Sequence, residues 1–99
     1  MNRTLTMLGF ASKAGKLSYG FDTALNSIKS GKARLLIAAS DVSDKSKKEI
    51  SYYSAKHNLP FKVLNEDMQT LSSAVGRSCG IVSVNDAGFR DSITAQEEI

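Results

Sequence analysis

The chain has 99 residues, enough for one domain with one core and too few for a second. Its 41% apolar and 23% charged residues are those of a soluble globular protein, and the longest fully apolar run, Leu35-Leu36-Ile37-Ala38-Ala39, is far too short to cross a bilayer. The net charge of +3 conceals an asymmetry, +7 over residues 1–62 and −4 over residues 63–99, which suits a polyanionic partner as well as it suits a merely solvated surface.

The opening MNRTLTMLGFASK is too short in its apolar part, and too broken by Thr, to be a secretory signal. With a single Cys no internal disulfide can form, so cytoplasmic residence is expected. Leu5, Leu8 and Ala11 mark a first helix, and Gly15 is a natural stop after it. Phe21, Ala24, Leu25 and Ile28 recur at i, i+3, i+4 and i+7, one face of a second helix that Gly31 ends. Arg34 to Ala39 is a short, mostly apolar run, as expected of a strand buried on both faces. Ser46 to His57 reads as a third helix with Ile50, Tyr53 and His57 inward, terminated by Asn58 and Pro60. Phe61 to Leu64 is a second strand. Met68, Leu71 and Val75 make a fourth helix, closed by Gly76, and Ile81 to Val84 a third strand. After an Asp86-Ala87-Gly88 turn, Phe89 and Ile93 begin a last helix, and the tail TAQEEI is expected to fray.

No repeat, low-complexity segment or linker interrupts this alternation, so residues 1–99 are expected to form a single domain. Strands separated by helices of this length need crossover connections. The expected fold class is therefore α/β, a three-layer α/β/α sandwich around a small mixed, largely parallel central sheet.

Most candidate chemistry fails on spacing. GFASKAGKL approaches a phosphate-binding loop, but five residues separate Gly9 from Gly15, Leu17 stands where a Ser or Thr must meet the metal, and the segment follows a helix rather than a strand. Asp41, after the first predicted strand, sits where α/β folds place ligand sites, yet Asp-Val-Ser-Asp before a helix is also ordinary capping chemistry. His57 has no second His or Cys pair in ligand spacing, and Cys79 has no base beside it. KSKKE at 45–49 reads as the solvated start of a helix that could also attract phosphate. No catalytic residue, metal ligand or cofactor is expected. AGKLSYGFDTALNSIKSGKAR, residues 14–34, remains. Gly20 opens the second helix, so the first-turn N–H groups near Phe21, Asp22 and Thr23 are free for an acceptor, with Lys13 and Lys16 just upstream. Asp22, Thr23 and Asn26 lie on the face away from Phe21, Leu25 and Ile28. Such a turn can hold phosphates and read bases, or it can be a glycine turn built for stability alone.

These residues resemble the kink-turn RNA-binding ribosomal-protein family of the L7Ae/L30e type, and most of all its short bacterial YlxQ-like branch. The resemblance spans Met7 to Ile93. It rests on Ala14-Gly15-Lys16 ending the first helix, Leu17, Gly20 opening the second, the SGKARLLIAASDVS step into the central strand, and Leu71-Ser72-Ser73-Ala74-Val75-Gly76. It implies the α/β/α sandwich and a non-enzymatic protein bound to RNA kink-turns, sharply bent internal loops with tandem sheared G·A pairs. The implied partner is ribosomal RNA and with it the ribosome, with no membrane involved and the protein acting as a monomer. In that picture Lys13 and Lys16 meet phosphate, Gly20, Phe21, Asp22, Thr23 and Asn26 bring the second helix to the G·A pairs, and Arg77 and Ser78 cover the unpaired nucleotides. The sequence departs from the family at Asp22, where strong kink-turn readers carry Asn or Lys, at Thr23, near their Glu, at Asn26, where they carry Lys, and at Ser72, usually Gly. A protein–protein adaptor on the same fold is the alternative these departures and the acidic last third leave open.

Overall fold

The structure, a computed structural model, describes residues 2–95. Residues 96–99, and with them most of the tail expected to fray, lie outside the described residues. The elements in order are α1 (Arg3–Lys13), β1 (Leu17–Tyr19), α2 (Phe21–Lys29), β2 (Leu35–Ala38), α3 (Asp44–Lys56), β3 (Phe61–Val63), α4 (Met68–Val75), β4 (Ile81–Val84) and α5 (Ala87–Thr94).

Short polar side chains start four of the five helices. Asn2, Ser43, Asp67 and Asp86 each accept a hydrogen bond from a first-turn N–H, of Leu5, Ser46, Thr70 and Phe89 respectively. The cap at Ser43 explains why α3 begins at Asp44, ahead of the Ser46 expected from its apolar period. The expectation that His57 points inward fails. The helix ends at Lys56, so His57 has left the buried face as the exposed C-cap residue, and Ser54, one turn after Ile50, takes the inward place.

The sheet order is β1-β4-β2-β3. β2 pairs in parallel with β3, Leu36 opposite Phe61 and Ala38 opposite Val63. β4 pairs antiparallel with both of its neighbours, Val84 lying opposite Leu17 of β1 on one side and Leu35 of β2 on the other. The α/β class and the mixed sheet are as expected; the largely parallel sheet is not, since two of the three pairings are antiparallel. The physical reason lies at α4. Crossover helices leave β1, β2 and β3 pointing one way, with a gap between β1 and β2. After α4 the chain doubles back through Gly76, and the Ser72 hydroxyl bridges it, accepting from the Cys79 N–H at 3.0 Å and donating to the Cys79 carbonyl at 3.1 Å. The chain thus enters β4 at the end where β2 leaves, with Ala39 N–H on the Gly80 carbonyl, and fills the gap in reverse. Strand β1 is not among the expected elements, because the three residues Leu17–Tyr19 before Gly20 carry too little alternation to separate a strand from a turn.

The sheet divides two apolar layers. Leu35, Ile37, Ala39, Val82 and Val84 face α1, α4 and α5. Leu36, Ala38 and Ile81 face α2 and α3 with Ala24, Ile28 and Ile50. Every residue of β2 and β4 is buried, the pattern of strands covered on both faces. Gly9 has a packing role rather than a phosphate-binding one. It sits inside α1 where α4 presses close, and a Cβ there would lie 3.0 Å from the Ala74 carbonyl oxygen.

Candidate nucleic-acid interface

Three strands pointing one way gather their exits at one end of the sheet. There the start of α2 follows β1, the turn at Ser40–Ser43 follows β2, and the start of α4 follows β3. The reversed β4 adds its own entry loop, Arg77–Gly80, to the same end. The end where strands exit is where open α/β sheets place ligands.

Gly20 is the pivot. Its backbone, at φ 92° and ψ 162°, lies in a region that side chains rarely tolerate. Its N–H donates to the Ile81 carbonyl at 2.8 Å, fastening the start of α2 to the start of β4. Its carbonyl accepts from Ala24, and no side chain caps the helix. The N–H groups of Phe21, Asp22 and Thr23 are thus left for an outside acceptor. Asp22, Thr23 and Asn26 are all exposed and share the outward side of α2.

The sequence-predicted residues fall around three depressions, two of which meet at Met68 and Gly80. Phe21 lines the first with Asp41, Val42, Ser43, Ser46 and Met68. Arg77 and Ser78 line the second, against Met68 and Ser72 of α4 and Gly76 just after it. Lys16, Thr23 and Asn26 line the third, which runs along α2 toward the opposite end of the sheet, where β1 and β2 begin and β4 ends, together with Lys32, Arg34 and Asn85. Asp22 stands exposed at the mouth of α2, and Lys13 is exposed in the last turn of α1, outside all three.

Sequence reasoning missed how these parts are tied. The Arg77 guanidinium stacks over the Tyr19 ring, 4.8 Å from its centre. Ser12 spends its hydroxyl proton on the Val75 carbonyl at 2.7 Å, so the Tyr19 hydroxyl donates to Ser12. Tyr19, the residue before Gly20, thereby sets both the helix start and the α4–β4 loop. Beneath the third depression runs a half-buried polar chain. Ser83 donates to the Asn85 Oδ1, the Asn85 amide donates to Ser18, and Ser18 shares a 2.7 Å bond with Ser27. Lys32 and Arg34 were legible as charges, but nothing in their spacing set them beside Lys16.

The competing chemistries are accounted for by the same geometry. Asp41 is a structural carboxylate, its Oδ1 accepting from the Met68 N–H at 2.8 Å at the start of α4. Cys79 is half-buried, and burial pushes its thiol above the ordinary range although Ser72 pulls the other way, the opposite of an activated nucleophile. Among the described residues no three of His, Cys, Asp and Glu are grouped to hold a metal ion, and no helix is long and apolar enough to cross a membrane.

The chain resembles known proteins in sequence and in fold. The sequence profile of the ribosomal protein L7Ae/L30e/S12e/Gadd45 family matches residues 3–93. The large ribosomal subunit protein eL30 of Candida glabrata is 32% identical over 90 residues, 89% of this chain and 86% of that protein. The RNA-binding protein YlxQ of Enterococcus faecium is 26% identical over 88 residues, 88% of this chain and 84% of that one. Among solved structures, a Bacillus halodurans protein of unknown function superposes with a TM-score of 0.91 at 28% identity, covering 96% of both chains. The Giardia lamblia 15.5kD RNA binding protein shares the fold at a TM-score of 0.77 and 18% identity, over 92% of this chain and 78% of its own.

Proposed function

The chain belongs to the ribosomal protein L7Ae/L30e/S12e/Gadd45 family, and from that premise we propose that it is an RNA-binding protein of ribosomal type that recognises kink-turn RNA. The family is one of ribosomal and RNA-binding proteins, and the chain is not an enzyme. Its target is taken to be ribosomal RNA, met in the cytosol by a single copy of the protein.

The observation that carries this reading is the fastening of an uncapped helix start to a basic loop, through the Gly20–Ile81 hydrogen bond and the Arg77–Tyr19 stack. A-form RNA has a major groove too deep and narrow for side chains, so a helix end can reach base edges only where the RNA is already distorted. In a kink-turn the start of α2 would enter the opened groove. Its free N–H groups would face phosphate, with Lys16, Lys32 and Arg34 along one flank and Lys13 further out. Thr23 and Asn26 would bond the G·A pairs, and Asp22 would accept from a base amino group, the one role open to a carboxylate there. Arg77 and Ser78 would close over the unpaired nucleotides.

The test is a fluorescence titration of the protein with a kink-turn RNA and with the same RNA carrying Watson–Crick pairs in place of its G·A pairs, at two salt concentrations. The proposal requires tighter binding to the intact kink-turn at both. Equal and salt-sensitive binding to the two RNAs would leave only a basic surface. No binding to either would transfer the assignment to a protein adaptor on this fold.

A further inference from the structure

The α2 end of the sheet does not account for the outer face of α3. On that helix Ile50 and Ser54 point into the core. The opposite line carries Lys45, Lys48, Tyr52 and Lys56, all exposed. Tyr52 is 61% exposed, unusual for so large a ring, and Lys48 and Lys56 stand four residues to either side of it, about 6 Å along the axis each way. None of the three lysines has a carboxylate within ion-pair distance among the described residues. Two acids flank the line, Glu49, half-buried, and Asp44 at the helix start. Tyr52 has one aromatic neighbour, Tyr53, whose ring it meets edge to face at 5.2 Å, and Lys29 of α2 sits 5.2 Å from the Tyr53 ring centre.

The line also has a definite relation to the α2 end. Phe21, at the start of α2, borders the same depression as Ser43 and Ser46 at the start of α3, while Lys29, at the end of α2, reaches Tyr53 far along α3. The two helices thus run side by side in the same direction. A nucleic acid seated at the start of α2 has the α3 line beside it, about 16 Å of it from Lys45 to Lys56.

We propose that the outer face of α3, through Lys45, Lys48, Tyr52 and Lys56, docks across the minor groove of the double-stranded stem that flanks the RNA held at the start of α2. This rests on the RNA-binding reading above. Charge complementarity and shape select the occupant. A convex helix face cannot enter the deep A-form major groove, but it fits the wide, shallow minor groove, which displays 2′-hydroxyls between two phosphate rows. Lysines one turn either side of a tyrosine match that section, with ammonium groups on the phosphates and the phenol on a 2′-hydroxyl. The gain is mainly counterion release, so it should be read as a salt slope.

The experiment uses the full chain, a kink-turn RNA with both stems, and versions with each stem trimmed in turn. The triple variant Lys45→Gln, Lys48→Gln, Lys56→Gln should flatten the slope of log K against log salt by about two to three on the full RNA. Trimming one of the two stems should remove that difference between variant and wild type. Tyr52→Phe should reduce the preference for that stem over its 2′-deoxy counterpart. Equal slopes for variant and wild type on the full RNA, a loss that persists whichever stem is trimmed, or an unchanged 2′-hydroxyl preference in Tyr52→Phe would each overturn the stem contact. The underlying reading fails separately. Equal wild-type binding to intact and G·A-replaced RNA would sink kink-turn recognition, while both RNAs still carry the stem and still report on α3.

Discussion

The starts of α2 and α4 border one another at the same end of the sheet, since Phe21 and Met68 line one depression, and the two are finished in opposite ways. At α4 the fold uses its own carboxylates. Asp67 accepts from the Thr70 N–H and Asp41 reaches over from the β2–α3 turn to accept from the Met68 N–H, each at 2.8 Å. At α2 Gly20 supplies no side chain, and the first-turn donors stay open. Both ends carry the partial positive charge of a helix start. What separates them is that one has had its charge answered from within the chain, and only the other can receive an acceptor from outside.

The sharpest way to break this comparison is to give α2 a side chain at its open end. A Cβ at Gly20 would meet no heavy atom within 4 Å, so Gly20→Ala isolates the backbone term. At φ 92° and ψ 162° the expected loss is about 1–3 kcal/mol of folding stability, read from denaturant unfolding. An unfolding midpoint equal to the wild type would mean that the turn relaxes without strain and that glycine is not what keeps the end open.

The next change acts on the open end without touching the fold. Asp22 places a negative charge in the first turn, where it suits the helix but opposes an incoming phosphate. Asp22→Asn keeps an acceptor, adds a donor and removes the charge. Binding to an intact kink-turn should tighten up to about tenfold, with little change for the RNA lacking G·A pairs. Equal gains on both RNAs would assign Asp22 to general electrostatics. A loss on the kink-turn alone would mean that its carboxylate makes a base contact that an amide cannot replace.

Much of the fold was legible because burial writes a period into sequence. Leu5, Leu8 and Ala11, then Phe21, Ala24, Leu25 and Ile28, gave two helices on opposite sides of the sheet, and the two fully buried strands stood out as apolar runs. What was illegible depends on partners distant in sequence. The reversal of β4 is set by Ser72 holding Cys79 and by Ala39 bonding Gly80, and neither leaves a trace in hydrophobic spacing. The candidate interface divides the same way. The exposed row Asp22, Thr23 and Asn26 followed from the apolar face of its own helix. That Arg77 stacks on Tyr19, or that Asn85 reaches Ser18 across 67 residues, required the folded sheet. Among the departures from the family, Ser72 has a local use, since its hydroxyl ties down the loop carrying Arg77 and Ser78.

The smallest expected effect lies at the closed end. The hydrogen bond from the Thr70 backbone N–H holds the Asp67 carboxyl below its ordinary 3.8, because the ionised form is the better acceptor at a helix start. A carboxyl whose folded value lies below its unfolded one contributes stability at pH values above the unfolded value. That contribution is lost as pH falls through the folded value. Asp67→Asn keeps an oxygen in place but cannot ionise. The wild type should therefore be more stable than the variant at pH 7 by a small margin that closes as the solution is taken below about pH 4. Urea midpoints of the two proteins at pH 7 and pH 3 measure this directly. A margin that stayed constant with pH would mean that the oxygen alone, and not its charge, finishes α4. In that case the contrast with α2 would be one of geometry and not of electrostatics.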